Sequence, residues 1–124
     1  MSSYYDVGLV LTKTLYLKLN HVSALVEDSP LQDLLQRSVH DVVNEDDSEE
    51  SHLLRWMNTK WQPDFHKDVK ALYAFLNGMD VNTFILIAVN HDYPESDEKD
   101  FGNWVDNPFE LGRRITSELY WEEA

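Results

Sequence analysis

Residues 83–89 read Thr-Phe-Ile-Leu-Ile-Ala-Val, apolar at both alternating sets of positions. A strand with one solvated face keeps every second residue polar. This stretch therefore demands cover on both faces, or a central place in its sheet, and so it demands a layered domain.

The rest of the chain supplies candidate layers. Tyr5, Val7, Leu9 and Leu11 alternate with Tyr4, Asp6, Gly8 and Val10, which predicts a first strand. Leu15, Leu19, Val22 and Val26 then recur at helical spacing. Ser29 as a cap, Pro30 at the first helical position and Gln32 three residues after Ser29 mark the start of a second helix. Its stripe runs through Leu31, Leu34, Leu35, Val39 and Val42. Negative charge opposes the macrodipole at a helix C-terminus, so the acidic residues after Asn44 are expected to stop it there.

Residues 53–61 predict a second strand, with Trp56 and Trp61 at opposite parity. Unless both faces of that strand are covered, one of the two rings points out. Phe65, Val69, Leu72 and Leu76 form a third helical stripe, closed by Asn77 and Gly78. Residues 90–108 are polar and rich in Asp, Asn, Pro and Gly, and are read as a long loop. Residues 111–121 are expected to form a last strand, with Ile115, Leu119 and Trp121 on one face. The predicted fold is one α+β domain over 1–124, a two-layer structure in the order β-α-α-β-α-β-β. Its sheet is mainly antiparallel, with the helices on one face.

A formal net charge of −13 on 124 residues restricts the partners such a domain can meet. The acids fall in two runs. Glu45, Asp46, Asp47, Glu49 and Glu50 follow Asp41 without a base, and Asp92, Glu95, Asp97, Glu98 and Asp100 stand against Lys99 alone. Such a surface repels nucleic acid and anionic membranes and attracts basic proteins. Aromatic content of 12% is too high for an acidic disordered tail. With no cysteine there is no disulfide and no thiolate nucleophile or ligand. No basic segment precedes an apolar stretch at the start, and the run Phe84–Val89 is far too short to span a bilayer. The expectation is a cytoplasmic protein.

Signatures for chemistry are sparse. Neither acidic run has the glycine a calcium loop requires. His21, His40, His52, His66 and His91 show no zinc-protease spacing, and no Gly-x-Ser-x-Gly or phosphate-cradling glycine motif occurs. No metal or other cofactor is expected. His91 and Asp92, after the apolar strand, are the best catalytic pair available, and a small metal-dependent hydrolase is carried as one alternative. Among Trp56, Trp61, Trp104 and Trp121, Trp104 in the long loop is the best exposed anchor for a partner. Of the adjacent bases Arg113 and Arg114, one is expected to pair with an acid.

Three segments, YYDVGLVLTK at 4–13, LLRWMNTKWQPDF at 53–65 and the stretch from TFILIAVNHDYPESDE to NWVDNPFEL at 83–111, resemble a set of small proteins encoded by bacteriophages and prophages. The resemblance implies an early-expressed factor in the bacterial cytoplasm that binds a host protein; some small acidic members of this kind block nucleases, restriction systems or CRISPR complexes. Clustered carboxylates imitate the charge of a phosphate backbone, and so fit a groove built for nucleic acid. The leading expectation is a non-enzymatic inhibitor of a basic, nucleic-acid-handling host protein. It would act through both acidic runs and Trp104, without binding nucleic acid or membrane itself. The other alternative is an aromatic surface serving a partner contact or homodimer, with the acidity maintaining solubility.

Overall fold

The computed structural model describes residues 4–44, 50–92, 99–104, 109, 111–113 and 119–121. The first strand, β1 (Tyr4–Thr12), is the middle of a five-stranded antiparallel sheet. Thr12 ends it and caps helix α1 (Lys13–Ala24), its side chain accepting from the Leu15 N–H at 3.2 Å. Helix α2 (Pro30–Gln36) starts as the sequence predicts: Ser29 Oγ accepts from the Gln32 N–H at 3.1 Å. The Gln32 side chain reaches back one residue further than in a capping box, to the N–H of Asp28.

The second helix does not run on to Asn44. It ends at Gln36, and Val39–Asn44 forms strand β2, paired antiparallel with β3 (Glu50–Lys60). The helical stripe through Val39 and Val42 also fits a strand, and Val39, Val42 and Val43 are stiff, β-branched residues suited to one. The observed order therefore gains a strand between α2 and β3. Helix α3 (Lys67–Asn77) follows, then a turn of 3₁₀ helix (Val81–Thr83), β4 (Phe84–Asn90) and β5 (Phe101–Gly102). The sheet order is β2-β3-β1-β4-β5. In place of a single strand over 111–121, two-residue strands β6 (Gly112–Arg113) and β7 (Leu119–Tyr120) pair with each other; Ile115 and Arg114 lie outside the described residues.

Both faces of the sheet are covered, as the Thr83–Val89 pattern requires. Val7, Leu9, Leu11, Leu54, Phe84 and Leu86 meet Leu15, Leu19, Leu31, Leu34, Val69, Leu72 and Leu76 of the three helices. On the rear, Val10, Leu53, Ile87 and Val89 meet Phe109, Leu111 and Leu119 from the C-terminal segment. Gly8 makes this rear layer fit, because a Cβ there would stand 2.6 Å from Leu111 Cδ1.

Trp56 and Trp61 both enter the helix-side core, against the parity of an unbroken strand. The reason is a bulge. Tyr5 faces Thr59 and Val7 faces Trp56, so Met57 and Asn58 stand opposite Asp6 alone. Asn58 adopts φ 52°, and its N–H donates to Asp6 Oδ1 at 2.8 Å. The extra residue turns Trp61 to the same side as Trp56, with ring centroids 5.1 Å apart. Each indole N–H is satisfied, Trp56 by the Leu34 carbonyl and Trp61 by the Tyr73 hydroxyl.

Gly102 has φ 88°, and a Cβ there would lie 2.4 Å from the Phe84 carbonyl oxygen. Gly102→Ala is expected to lower the unfolding free energy by more than about 1 kcal/mol. Gly78→Ala, where the nearest heavy atom is 3.8 Å away, is the matched control and is expected to change it far less. Urea unfolding of the two variants measures the difference.

Candidate functional site

The two acidic runs enter and leave the sheet at opposite ends. Ser51, next to Glu50, pairs with Thr12 at one end of β1; Asn90, two residues before Asp92, pairs with Tyr5 at the other. Seven residues of strand separate those levels, about 23 Å. Glu45, Asp46, Asp47 and Glu49 of the first run, and Glu95, Asp97 and Glu98 of the second, lie outside the described residues. Their described flanks do not converge on one patch.

The described acids have local partners. Asp100 is half-buried, and its Oδ1 accepts from the Ala88 N–H at 3.0 Å, so that carboxylate serves β4. Asp92 is exposed, with its N–H held by Asn90 Oδ1. His91 engages Asp6 (Nε2 to Oδ1, 3.0 Å), the same carboxylate that fixes the bulge, instead of forming a pair with Asp92. Trp104 is half-buried against the rear cluster, and its N–H donates to the Phe84 carbonyl. With Ile85 and Trp121 it packs against that cluster and so serves as cover for the rear layer. Arg55 carries charge into the rear layer: Nη2 lies 3.0 Å from Asp41 Oδ2, and the guanidinium sits 4.3 Å from the Trp121 ring centroid.

Glu50 belongs to a cluster that sequence reading did not assemble. Val42 faces His52 and His40 faces Leu54, so both histidines project to the helix side, one register step apart. Tyr16 of α1 lies over them, its ring centroid 3.9 Å from that of His52 at 9° and 4.7 Å from that of His40 at 26°. His40 Nε2 and His52 Nδ1 are 2.8 Å apart, Tyr16 Oη is 3.3 Å from His40 Nδ1, and His52 Nε2 is 3.5 Å from Glu50 Oε2. His52 is 4% exposed whereas His40 is open to solvent, so the cluster runs from the core to the outer strand.

Hydrogen-bond chemistry gives the cluster a direction. The Glu50 carboxylate is an acceptor that favours a proton on His52 Nε2. His52 Nδ1 then accepts from His40 Nε2–H, and His40 Nδ1 accepts from the Tyr16 hydroxyl. The last member of the chain is loose, since His52 Nε2 is buried and makes no well-aligned hydrogen bond among the described residues. Burial lowers the pKa of both rings; Asp41 opposes this at His40. At His52, His40 and Lys13 add to the lowering, while Glu50 opposes it.

A metal fits this pair poorly. With ring centroids 5.0 Å apart and nitrogens 2.8 Å apart, the rings meet nearly head-on. Two imidazoles on one tetrahedral zinc aim at a shared third point, and their nitrogens stand about 3.3 Å apart. The described residues contain no group of three or more His, Asp or Glu able to hold a cation. A hollow of about 170 Å³ between α1 and the 3₁₀ turn, lined by Thr12, Lys18, Met79 and Asp80, excludes the histidines. So does one of about 240 Å³ beside Pro30 and Asp33.

The signal for the cluster was present in the sequence. Once 39–44 and 50–55 are paired as arms of a hairpin with Val42 opposite His52, that register puts His40 and His52 on one face. No protein-family model matches this chain, and neither a curated protein nor a solved structure matches it.

Because the folded-state pKa of each ring lies below its ordinary value of 6.5, the unfolded chain binds more protons once the pH falls beneath that value. The stability due to these rings is complete above pH 6.5 and is lost as the pH drops from there through the folded-state values. Urea unfolding from about pH 7.5 to about pH 5 is expected to show a steeper acid loss for the wild type than for His40→Gln. Comparing the two slopes cancels the contribution of the carboxylates.

Proposed function

We propose that this chain is a non-enzymatic binding protein that takes an extended, basic segment of a partner protein along the outer edge of β2, which no other described strand pairs. The observation that carries this reading is the asymmetry of the sheet's two edges. The β5 edge is only two residues long, whereas β2 offers six, with Val39 51% exposed and Val42 47% exposed. An edge strand of this length directs every second N–H and C=O outward and is a template for another strand.

The charge favours one occupant. The edge is continuous in sequence with Glu45–Glu50, and the whole chain carries −13. A segment rich in Lys and Arg would gain backbone hydrogen bonds from β2 and fast, charge-steered association from the acids. A second copy of the chain could pair with the same edge but would bring its own −13 with it. The inhibitor of a nucleic-acid-handling host protein is the narrower form of this reading, and the charge supports it. The opposite placement of Glu50 and Asp92 favours the β2 end acting alone over a single strip that mimics nucleic acid.

A synthetic peptide of alternating Lys and Val is a defined probe. Amide chemical shifts are expected to move along Val39–Asn44, with affinity falling steeply as salt is added. Val39→Lys/Val42→Lys is expected to abolish the binding and leave the fold intact, because both side chains are exposed. Shifts spread evenly over the acidic surface, or binding unchanged in that variant, would overturn edge pairing. Self-association that strengthens with salt would select the second copy.

A further inference from the structure

Two imidazole nitrogens that meet head-on at 2.8 Å hold one proton between them, and they cannot hold two. We infer that the His40–His52 pair is a proton-operated clasp on the outer strand. With one proton between the facing nitrogens it ties β2 to β3 beneath Tyr16; with a proton on each, it opens and loosens β2.

The chemistry proceeds in two steps. The first added proton goes to His40 Nδ1, on the solvent side, and the Tyr16 hydroxyl turns from donor to acceptor. The bond from His40 Nε2–H to His52 Nδ1 survives this step and becomes charge-assisted. The second proton must take the lone pair of His52 Nδ1. Two N–H groups then face each other, and the contact is lost. The pair therefore titrates as a unit, with its second step displaced to lower pH by the first.

The surroundings set where this happens. From β2 and β3, Asp41 and Glu50 favour proton uptake; from α1, Lys13 and the apolar cover of the Tyr16 ring oppose it. Among the described residues, little else secures the outer strand. Val39 and Val42 point largely to solvent, and on the rear face the tie is the Asp41–Arg55 ion pair beside the backbone ladder. Local opening of such a strand costs far less than opening the doubly covered β1 and β4. The inference concerns the order of β2 alone and does not rest on what β2 binds.

Amide hydrogen exchange, expressed as protection factors residue by residue, reads the clasp directly. In the wild type, protection of Val39–Asn44 relative to β1 is expected to fall by about tenfold or more between about pH 7.5 and about pH 5. His40→Gln/His52→Asn keeps a donor facing an acceptor and cannot be charged, so its relative protection should stay flat. His40→Gln alone serves the same purpose should the double variant fail to fold, because position 40 is exposed. A wild type whose relative protection does not change, an equal acid loss in the uncharged variant, or a parallel loss in β1 and β2 would each overturn the clasp. So would ring ¹⁵N titrations in which His40 and His52 take up protons independently near their ordinary pKa.

Discussion

The double burial of β1 fixes the rest of the molecule. It is hydrogen-bonded to β3 on one side and β4 on the other, so neither backbone edge is free. Its side chains then divide between two cores, with Val7, Leu9 and Leu11 toward the helices and Val10 toward the C-terminal segment. Any register slip of one residue would send each set into the wrong core. Gly8 sharpens the constraint, since only a residue without a Cβ lets Leu111 approach the strand this closely. An acidic chain whose charges repel one another is thus held by an apolar interior layered on both sides of one sheet.

Around that centre, polar groups act at the strand margins. Asp6 accepts from the Asn58 N–H at the bulge and engages His91, and the bulge turns Trp61 to the side that Trp56 already faces. Asp100 supplies an acceptor to β4 just beyond the short β5. Carboxylates that look like members of a charged surface in the sequence thus split into two kinds. Some satisfy backbone donors at irregular points of the sheet, and others, such as the exposed Asp92, remain at the surface.

The elements most legible in the sequence are those whose periodicity has one meaning. Alternation over 5–11 and the apolar run at 83–89 allow only strands of a covered sheet, and Ser29-Pro30 allows only a helix start. Leu31, Leu34, Leu35, Val39 and Val42 satisfy a helix and a helix-then-strand equally well, and tertiary pairing with β3 decides the matter. Inserting one residue at Asn58 reverses the parity of everything after it, so the positions of Trp56 and Trp61 required knowledge of the pairing register. The rear layer was invisible for another reason: Phe109, Leu111 and Leu119 cover the sheet without any period of their own. The site was hidden differently: Tyr16, His40, His52 and Glu50 come from α1, β2 and β3, and the histidines share a face only once 39–44 is paired as a strand with β3.

The position of the histidine pair is informative in its own right. Position 52 is as buried as its neighbours in the sheet, and an aliphatic side chain there would continue the apolar lining formed by Leu54 and Trp56. An imidazole instead brings polar atoms into the core, one of them poorly satisfied, which is costly unless a partner compensates. Its partner comes from the outer strand, through His40, and its packing comes from Tyr16. The cost and its compensation therefore meet at the junction between β3, which the core holds, and β2, which it does not. A titratable contact at that junction couples the solvent's acidity to the order of one strand. The central pair β1 and β4, with aliphatic side chains on both faces, remains outside its reach.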